Sequence, residues 1–287
     1  MVRQGSRGSA TALVLGGIVS VQVGAAFATT LFDELGPGGT VFLRIAFAAV
    51  LLLAIWRPPL RLGEGVARRD VVLLGLVLAG MNLSFYVALD RIPLGIAVTL
   101  EFIGPLGVAI AGSRRRLDLL WIGLAAAGIL LLSPVPGSDL DGLGVVMALV
   151  AGCFWGAYIL LTARVGRALP GGGGLAIAMT IAAVAIVPVG LADGGDALLD
   201  GELLAIGLAV AVLSSALPYS LELEALRRLP ENTFGVLMSL EPAVAATVGF
   251  VGLDQYLAAR EVVAIGLVLA ASLGALRAVG TPRAAEA

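Results

Sequence analysis

The chain has 287 residues, of which 59% are hydrophobic and 13% are charged, and its mean hydropathy is +1.04. Soluble globular domains average about 25% charged residues, so the composition excludes an ordinary water-soluble protein and predicts one that lies in a lipid bilayer. The net charge is −2, His is absent, and the single Cys excludes an intramolecular disulfide. We therefore expect no metal, no cofactor and no nucleic-acid partner.

Ten apolar runs follow one another along the chain, separated by short connections rich in Gly, Pro, Asp and Arg. Most approach the about 20 residues that a membrane-spanning helix needs, and they are continuously apolar rather than alternating, which argues against a β-barrel. The sequence thus predicts an all-α membrane protein with ten transmembrane helices. Cys153 falls in the sixth run, where we expect it to be a small buried residue. The predicted spans are 10–32, 39–56, 71–89, 93–112, 117–133, 142–163, 172–192, 203–225, 231–252 and 261–278.

Arginine placement predicts the orientation. If the N-terminus is cytoplasmic and the ten spans alternate, every Arg between the spans lies on the cytoplasmic side except Arg91 and Arg260. Cytoplasmic loops of membrane proteins carry the excess of basic residues. We expect a multi-pass membrane protein with both termini in the cytoplasm.

The two halves of the chain share a motif. ALDRIP at 88–93 matches ALRRLP at 225–230, and a second proline follows each copy at the same distance, Pro105 and Pro242. The offset of 137 residues, obtained as 225 − 88, is close to half the chain. Each half then holds five spans, and an odd number of spans forces the halves into opposite orientations.

Inverted repeats of this kind are typical of secondary transporters, which bind substrate near the membrane midplane where the repeats meet. The predicted organisation is a first repeat at 1–135, a second repeat at 141–280 and a short cytoplasmic tail at 281–287.

Ionisable side chains inside spans are candidates for function because they are costly in a bilayer. Glu101 and Glu241 lie deepest, and we expect them to line one polar site. Burial disfavours the charged form of a carboxyl, so either residue is a candidate proton carrier. The alternative is a buried neutral carboxyl that ties helices together.

Glu222 shares a predicted helix face with Tyr219 and Ser215, three and seven residues earlier. A stripe of carboxyl, phenol and hydroxyl groups predicts a polar cavity rather than a lipid-facing surface. Asn82 and Tyr86 form a further pair four residues apart, which is consistent either with a cavity or with helix–helix contact.

Two other charges have open interpretations. Arg44 is either a counter-charge to a cavity carboxylate or a residue whose long stem lets it reach the outer headgroups. Glu224 points away from Glu222 around the helix, and we expect it to pair with Arg227 or Arg228 at the helix end.

Three prolines inside spans predict helix kinks. Pro105, Pro218 and Pro242 have no N–H to donate, so each leaves a backbone carbonyl without an intrahelical partner. Such breaks are tolerated where a cavity or a neighbouring helix satisfies the carbonyl.

Four strings in the sequence are similar to motifs of the drug/metabolite transporter superfamily, whose repeat unit is the EamA domain. They are GMN at 80–82, PLGIAVTLEFIGPL at 93–106, SSALPYSLE at 214–222 and TFGVLMSLEPA at 233–243. The likeness runs over about residues 10–280, and within the superfamily the strings most resemble those of bacterial threonine/homoserine exporters. The family pattern includes counterparts of Arg44, Glu101, Glu222 and Glu241, whereas Glu224 departs from it.

This resemblance implies export of small neutral amino acids such as threonine and homoserine across the bacterial cytoplasmic (inner) membrane, driven by proton antiport. The residues by themselves indicate only a secondary transporter with buried carboxyls that is not an enzyme. One alternative is an exporter of other polar metabolites or cationic drugs. A more remote one is an intramembrane enzyme, which would lack the usual nucleophile–base pairs. The oligomeric state stays open, with a homodimer as one alternative.

Overall fold

The computed structural model describes residues 4–58, 66–111, 118–132, 140–169, 172–226, 228, 234 and 237–279. This part of the chain forms helices and no strand, so the prediction of an all-α protein is confirmed for it. The predicted tail 281–287 lies outside the described residues. The α-helices are α1 (Gln4–Thr29), α2 (Phe32–Trp56), α3 (Val66–Leu89), α4 (Leu94–Glu101), α5 (Ile103–Ala111), α6 (Asp118–Leu132), α7 (Gly142–Ala168), α8 (Gly173–Gly194), α9 (Gly201–Ala211), α10 (Leu217–Leu226), α11 (Glu241–Gly252) and α12 (Ala259–Val279).

By length and composition, five helices in the described residues are able to cross a membrane. They lie in α1, α2, α3, α7 and α8, the last extended by a 3₁₀ turn at Gly195–Leu199. Shorter apolar helices occur at Leu94–Val108, Leu119–Leu132 and Gly201–Ala216. The long apolar runs therefore form helices, as their composition predicts.

Three of the predicted spans are interrupted. Span 93–112 is divided at Phe102 into α4 and α5, and α9 is joined to α10 by a π-helical turn, Val212–Ala216. In span 231–252 a turn at residues 239–240 precedes α11. Proline follows each interruption within about three residues, since it cannot continue the hydrogen-bond ladder.

Pro242 does not kink a continuous helix, contrary to the prediction. It lies in the first turn of α11, where a helix has N–H groups without intrahelical acceptors, so the missing N–H costs little. Helix α2 also differs from its predicted start, since it begins at Phe32 and is interrupted at Gly36. The φ of +62° at Gly36 is a left-handed conformation that glycine adopts readily.

Helices α2 and α8 pack side by side in opposite directions. Near the start of α2, the N–H of Gly38 donates to Asp193 Oδ2 at the end of α8, over 3.0 Å. At the other end the Trp56 ring packs directly on Gly172, just before α8. Helices α6 and α12 also pair, as do α3 with α7 and α1 with α10. Contacts between the two halves of the chain thus form much of the helix packing.

Cys153 is exposed on α7 rather than buried as expected. The outer surface of a helix bundle in lipid is itself apolar, so a small weakly polar residue loses little there. Burial in water-soluble proteins is a poor guide to the position of this residue type in a membrane.

Candidate functional site

A cavity of about 690 Å³ lies between helices of both halves, and we call it the central cavity. Its wall contains all three predicted carboxyl groups, Glu101, Glu222 and Glu241, together with Arg44 and Asn82. The remaining wall is largely apolar and aromatic and includes Phe85, Phe102, Trp155, Tyr158 and Met238. A mostly apolar cavity with a few converging polar groups is the usual form of a small-molecule site.

Arg44 lies near the middle of α2 and lines the central cavity rather than reaching outward. Its Nη2 donates to the backbone oxygen of Ser214 over 3.3 Å. The guanidinium carbon lies 5.4 Å from the centre of the Tyr86 ring, within range of a cation–π contact. No direct ion pair joins Arg44 to a cavity carboxyl among the described residues. The charge is therefore held by a carbonyl and an aromatic ring, and it remains available to a ligand.

Pro218 explains why a carbonyl is free to accept from Arg44. Proline has no N–H to bond the carbonyl of Ser214, four residues earlier, or that of Leu213, five residues earlier. Both carbonyls are satisfied from other helices, since Ser20 Oγ donates to Leu213 over 2.6 Å and Arg44 to Ser214. The break in the ladder thus anchors two neighbouring helices at the cavity wall.

The π-helical turn at Val212–Ala216, just before Pro218, changes the predicted polar stripe. Ser214, not Ser215, shares the cavity wall with Glu222, although both serines are buried. A π turn adds a residue to the helical repeat and rotates the following face, so the spacing of seven from Glu222 points elsewhere. The side chain of Tyr219 lies outside the described part of the structure.

Glu101 is the last residue of α4 and is buried beside the break at Phe102. This break packs against the backbone of α7. A Cβ on Gly152 would lie 2.7 Å from the backbone oxygen of Glu101, and a Cβ on Gly104 would overlap the backbone oxygen of Gly152. The ring of Trp155 meets Phe102 edge-on at 5.5 Å between centroids. Close glycine contact therefore fixes the backbone that carries Glu101.

Glu241 is the first residue of α11 and is buried against α1. Gln22 Nε2 donates to Glu241 Oε1 over 3.3 Å. The oxygen of the Gln22 amide, Oε1, and the second oxygen of the Glu241 carboxyl, Oε2, are buried with no hydrogen-bond partner in the described structure. Sequence reasoning missed Gln22, although a buried amide in an apolar span is itself an unusual polar residue and a usable signal.

Charges in the site are unevenly distributed. The Glu241 carboxyl is close enough to Glu222 and Glu101 to be repelled by both. Arg44 interacts electrostatically with Glu101 and is the nearby positive charge for it. Carboxyl groups that share a site repel and favour sharing protons. The arrangement is thus able to exchange protons and to hold a small polar molecule.

Asn82 and Tyr86 occupy different places in α3. Asn82 lines the central cavity, with Nδ2 donating to the backbone oxygen of Leu78 over 2.8 Å. Tyr86 is fully buried behind Arg44 and does not line the cavity. Its hydroxyl faces Arg44 and Ser214, yet within the described residues it makes no hydrogen bond of ordinary geometry.

Glu224 lies away from the site, as expected. Its Oε1 accepts hydrogen bonds from Nε and Nη2 of Arg228, four residues later and just beyond the end of α10, where both side chains are partly exposed. The interpretation of Glu224 as a helix-end charge paired with an arginine is confirmed.

Comparison with known proteins identifies the family. The profile of the EamA-like transporter family matches residues 142–277. The threonine/homoserine exporter RhtA of Salmonella typhimurium is 45% identical over 259 residues, covering 89% of this chain and 87% of the relative. The exporter of the same name from Escherichia coli (strain K12) is 44% identical over 266 residues, covering 91% and 89%.

A solved crystal structure also matches, with a TM-score of 0.63 and 17% identity, over 96% of this chain and all of the other. At that identity the match shows a shared fold. The family profile and the relatives identify the chain as a multi-pass membrane transporter that belongs to the EamA-like transporter family of the drug/metabolite transporter superfamily.

Proposed function

We propose that this transporter exports small neutral amino acids such as threonine and homoserine from the bacterial cytoplasm, across the inner membrane, in exchange for protons. The observation that carries the proposal is the central cavity, in which Glu101, Glu222, Glu241 and Arg44 meet. The relatives at 44–45% identity are named threonine/homoserine exporters, which supports the choice of substrate.

Each charge has a role in this proposal. An amino acid carries an ammonium and a carboxylate, and the cavity offers both carboxylates and a guanidinium. Proton antiport needs a group that binds a proton in one orientation and releases it in another, and carboxyls that share a site meet this need. Glu101 and Glu241 are the proposed proton carriers, with Glu222 on the path between Glu241 and the cytoplasm.

We further propose that ten spans form two inverted five-helix repeats, residues 1–135 and 141–280, with both termini cytoplasmic. The antiparallel pairing of α2 with α8 supports this, because an offset of 137 residues relates these helices. The same offset relates α6 to α12. It also relates α3 to α10 and α1 to α7, so the pair of α3 with α7 corresponds to the pair of α10 with α1. Each of these pairs is in contact.

A reporter that is active only outside the cytoplasm tests the orientation. Fused at residue 138 it should give a signal, and fused at the C-terminus it should give none. The opposite pattern would overturn the assignment of both termini to the cytoplasm, and the same result at both positions would overturn the inverted arrangement.

Transport itself is tested in liposomes that contain the purified protein and an imposed pH gradient. Labelled threonine and homoserine should move against their concentration gradients when the pH gradient is present and should equilibrate without it. If no neutral amino acid moves and a cationic drug or another polar metabolite does, the substrate assignment is wrong. Uptake that is indifferent to the pH gradient would instead contradict proton coupling.

A further inference from the structure

Five buried polar atoms in or beside the central cavity lack hydrogen-bond partners in the described structure. One is the Ser272 hydroxyl, which can either donate or accept, and the other four differ in chemical type. Two are acceptors, Gln22 Oε1 and Glu241 Oε2, and two can donate, Arg44 Nε and the Tyr86 hydroxyl. An unpaired buried polar atom is costly, and such atoms are rare enough in native proteins that each needs an explanation.

The four atoms are separated by chemical type. The acceptors belong to α1 and α11, where the amide of Gln22 already bonds Glu241. The donors belong to α2 and α3, where the guanidinium of Arg44 lies over the Tyr86 ring. Each pair consists of neighbouring residues, and Gln22, Arg44 and Glu241 all line the cavity.

From this separation we propose that the central cavity binds its substrate as a zwitterion in one orientation, with the ammonium at Gln22 and Glu241 and the carboxylate at Arg44, which Tyr86 positions from behind. This inference rests on the proposed export of amino acids and adds how they are recognised. An ammonium brings three donors to the acceptor pair, and a carboxylate brings two acceptor oxygens to the guanidinium of Arg44.

Substrate binding then gives hydrogen-bond partners to cavity atoms that have none within the described residues. A site built to pair a charged group rejects analogues that lack the group, because its own buried atoms are left unpaired. Both ends of the amino acid are therefore required, which distinguishes this site from one for amines or for carboxylic acids.

Competition against labelled threonine in proteoliposome counterflow tests the orientation. 1-Amino-2-propanol has the ammonium and hydroxyl of threonine but no carboxylate, and 3-hydroxybutyrate has the carboxylate and hydroxyl but no ammonium. In the parent protein each should compete about tenfold or more weakly than unlabelled threonine, as expected for loss of a charge-assisted contact. If either competes as well as threonine, the proposal is overturned without any variant.

Two near-isosteric variants then give a crossed result. Tyr86→Phe removes the hydroxyl that faces Arg44 and keeps the ring under the guanidinium. Because it acts through the position of Arg44, it should weaken threonine and 3-hydroxybutyrate several-fold and leave 1-amino-2-propanol unchanged. Gln22→Met removes the amide and should weaken threonine and 1-amino-2-propanol but not 3-hydroxybutyrate. The control is that each variant elutes like the parent in size-exclusion chromatography. In such a variant, equal losses of competition by both analogues, or no loss, would overturn the assignment.

The outcome separates this inference from the proposed function. If threonine is carried but the crossed result is absent, the orientation is wrong and the exporter stands. If neither threonine nor homoserine is carried but another zwitterionic amino acid is, the same competition with that substrate's analogues decides the orientation, while the substrate assignment fails. If no amino acid is carried, both are overturned.

Discussion

Glu101 and Glu241 each lie beside a helix interruption. We call the break at Phe102 the first interruption and the turn at residues 239–240 the second interruption. The two are related by position in the sequence but differ in structure. The first interruption follows Glu101, whereas the second precedes Glu241. With the offset of 137 residues, Glu101 corresponds to Met238 (101 + 137) and Glu241 to Gly104 (241 − 137). The carboxyls are therefore not symmetry counterparts, although both reach the same cavity.

Their surroundings differ as well. The first interruption lies against backbone, with Gly104 on α5 in contact with Gly152 on α7. The second lies against a side chain, since Glu241 accepts from Gln22 on α1. The position in α1 that corresponds to Gly152 is Leu15 (152 − 137), which is exposed. A backbone contact cannot be exchanged by a rotamer change and a side-chain contact can, so we expect the second interruption to rearrange during transport.

The largest expected effect comes from breaking the backbone contact of the first interruption. Gly104→Ala places a methyl group where the backbone oxygen of Gly152 lies, and overpacking of this kind costs about 1–3 kcal/mol. We expect a lower yield of folded protein, a thermal midpoint in detergent lower by several degrees, and little transport.

Gly107→Ala is the matched control, three residues along the same helix. No atom lies within 4 Å of the new Cβ there, and alanine is favoured over glycine in a helix by about 0.5–1 kcal/mol. Its thermal midpoint should equal or exceed that of the parent. If both variants behave alike, the contact with α7 does not hold the first interruption.

The next effect concerns the carboxyls themselves. Glu241→Gln keeps the size of the side chain and an oxygen that can accept from Gln22, but it removes the proton site. We expect pH-gradient-driven threonine export to fall about tenfold or more. Counterflow exchange should persist at saturating threonine but need a higher threonine concentration, because the substrate ammonium loses a charged partner. Fluxes are measured at equal amounts of protein in liposomes.

Glu101→Gln should give a different profile, because Arg44 is then left without its nearby negative charge. We expect this variant to lose counterflow exchange as well as driven export. Identical profiles for the two variants would contradict the idea that the two interruptions have separate roles. Parent-like transport and pH dependence in both would show that the carboxyls are structural.

The sequence predicted the parts of this arrangement that follow from composition. Long apolar runs form helices, and the cost of a carboxyl in lipid drives Glu101, Glu222 and Glu241 into one cavity rather than onto the lipid-facing surface. Proline positions predicted that these helices would be interrupted. The resemblance of four sequence strings to a transporter family also agreed with the relatives found by comparison.

What could not be predicted depends on the local path of the backbone. The π-helical turn rotates Ser214 into the wall in place of Ser215, and ideal helical spacing contains no signal for such a turn. The first turn of α11 begins beside Pro242, so this proline starts a helix instead of kinking one. Gln22 was missed because only charged residues and polar stripes were considered within the spans.

A smaller effect is expected from the loss of one hydrogen bond at the start of α4, which Gln255 in the other half of the chain accepts. Gln255 Oε1 accepts from the N–H of Leu94 over 2.9 Å, which satisfies a donor that the helix itself leaves free. Gln255→Ala should lower stability by about 1 kcal/mol, as loss of a helix cap does, and the thermal midpoint in detergent measures it. Gln255→Glu keeps an acceptor and puts a negative charge at a helix N-terminus, which is favourable. A Glu variant as unstable as the Ala variant would show that the cap is not what matters.

The smallest effect is expected at Glu224, two residues from Glu222 but outside the cavity wall. It pairs with Arg228 one turn later, with 39% of the Glu224 side chain and 41% of the Arg228 side chain exposed. Exposed pairs with this spacing on a helix contribute about 0.3–0.5 kcal/mol. Glu224→Gln should therefore leave driven threonine flux and its pH dependence unchanged, and Arg228→Gln should match it in thermal midpoint.

Because Glu222→Gln removes a carboxyl from the cavity wall and Glu224→Gln does not, measuring both at equal protein amounts separates position in the cavity from mere presence of a carboxyl on α10. A loss of driven flux at Glu224→Gln as large as that at Glu222→Gln would extend the proton path beyond the central cavity and would remove the distinction between the two residues.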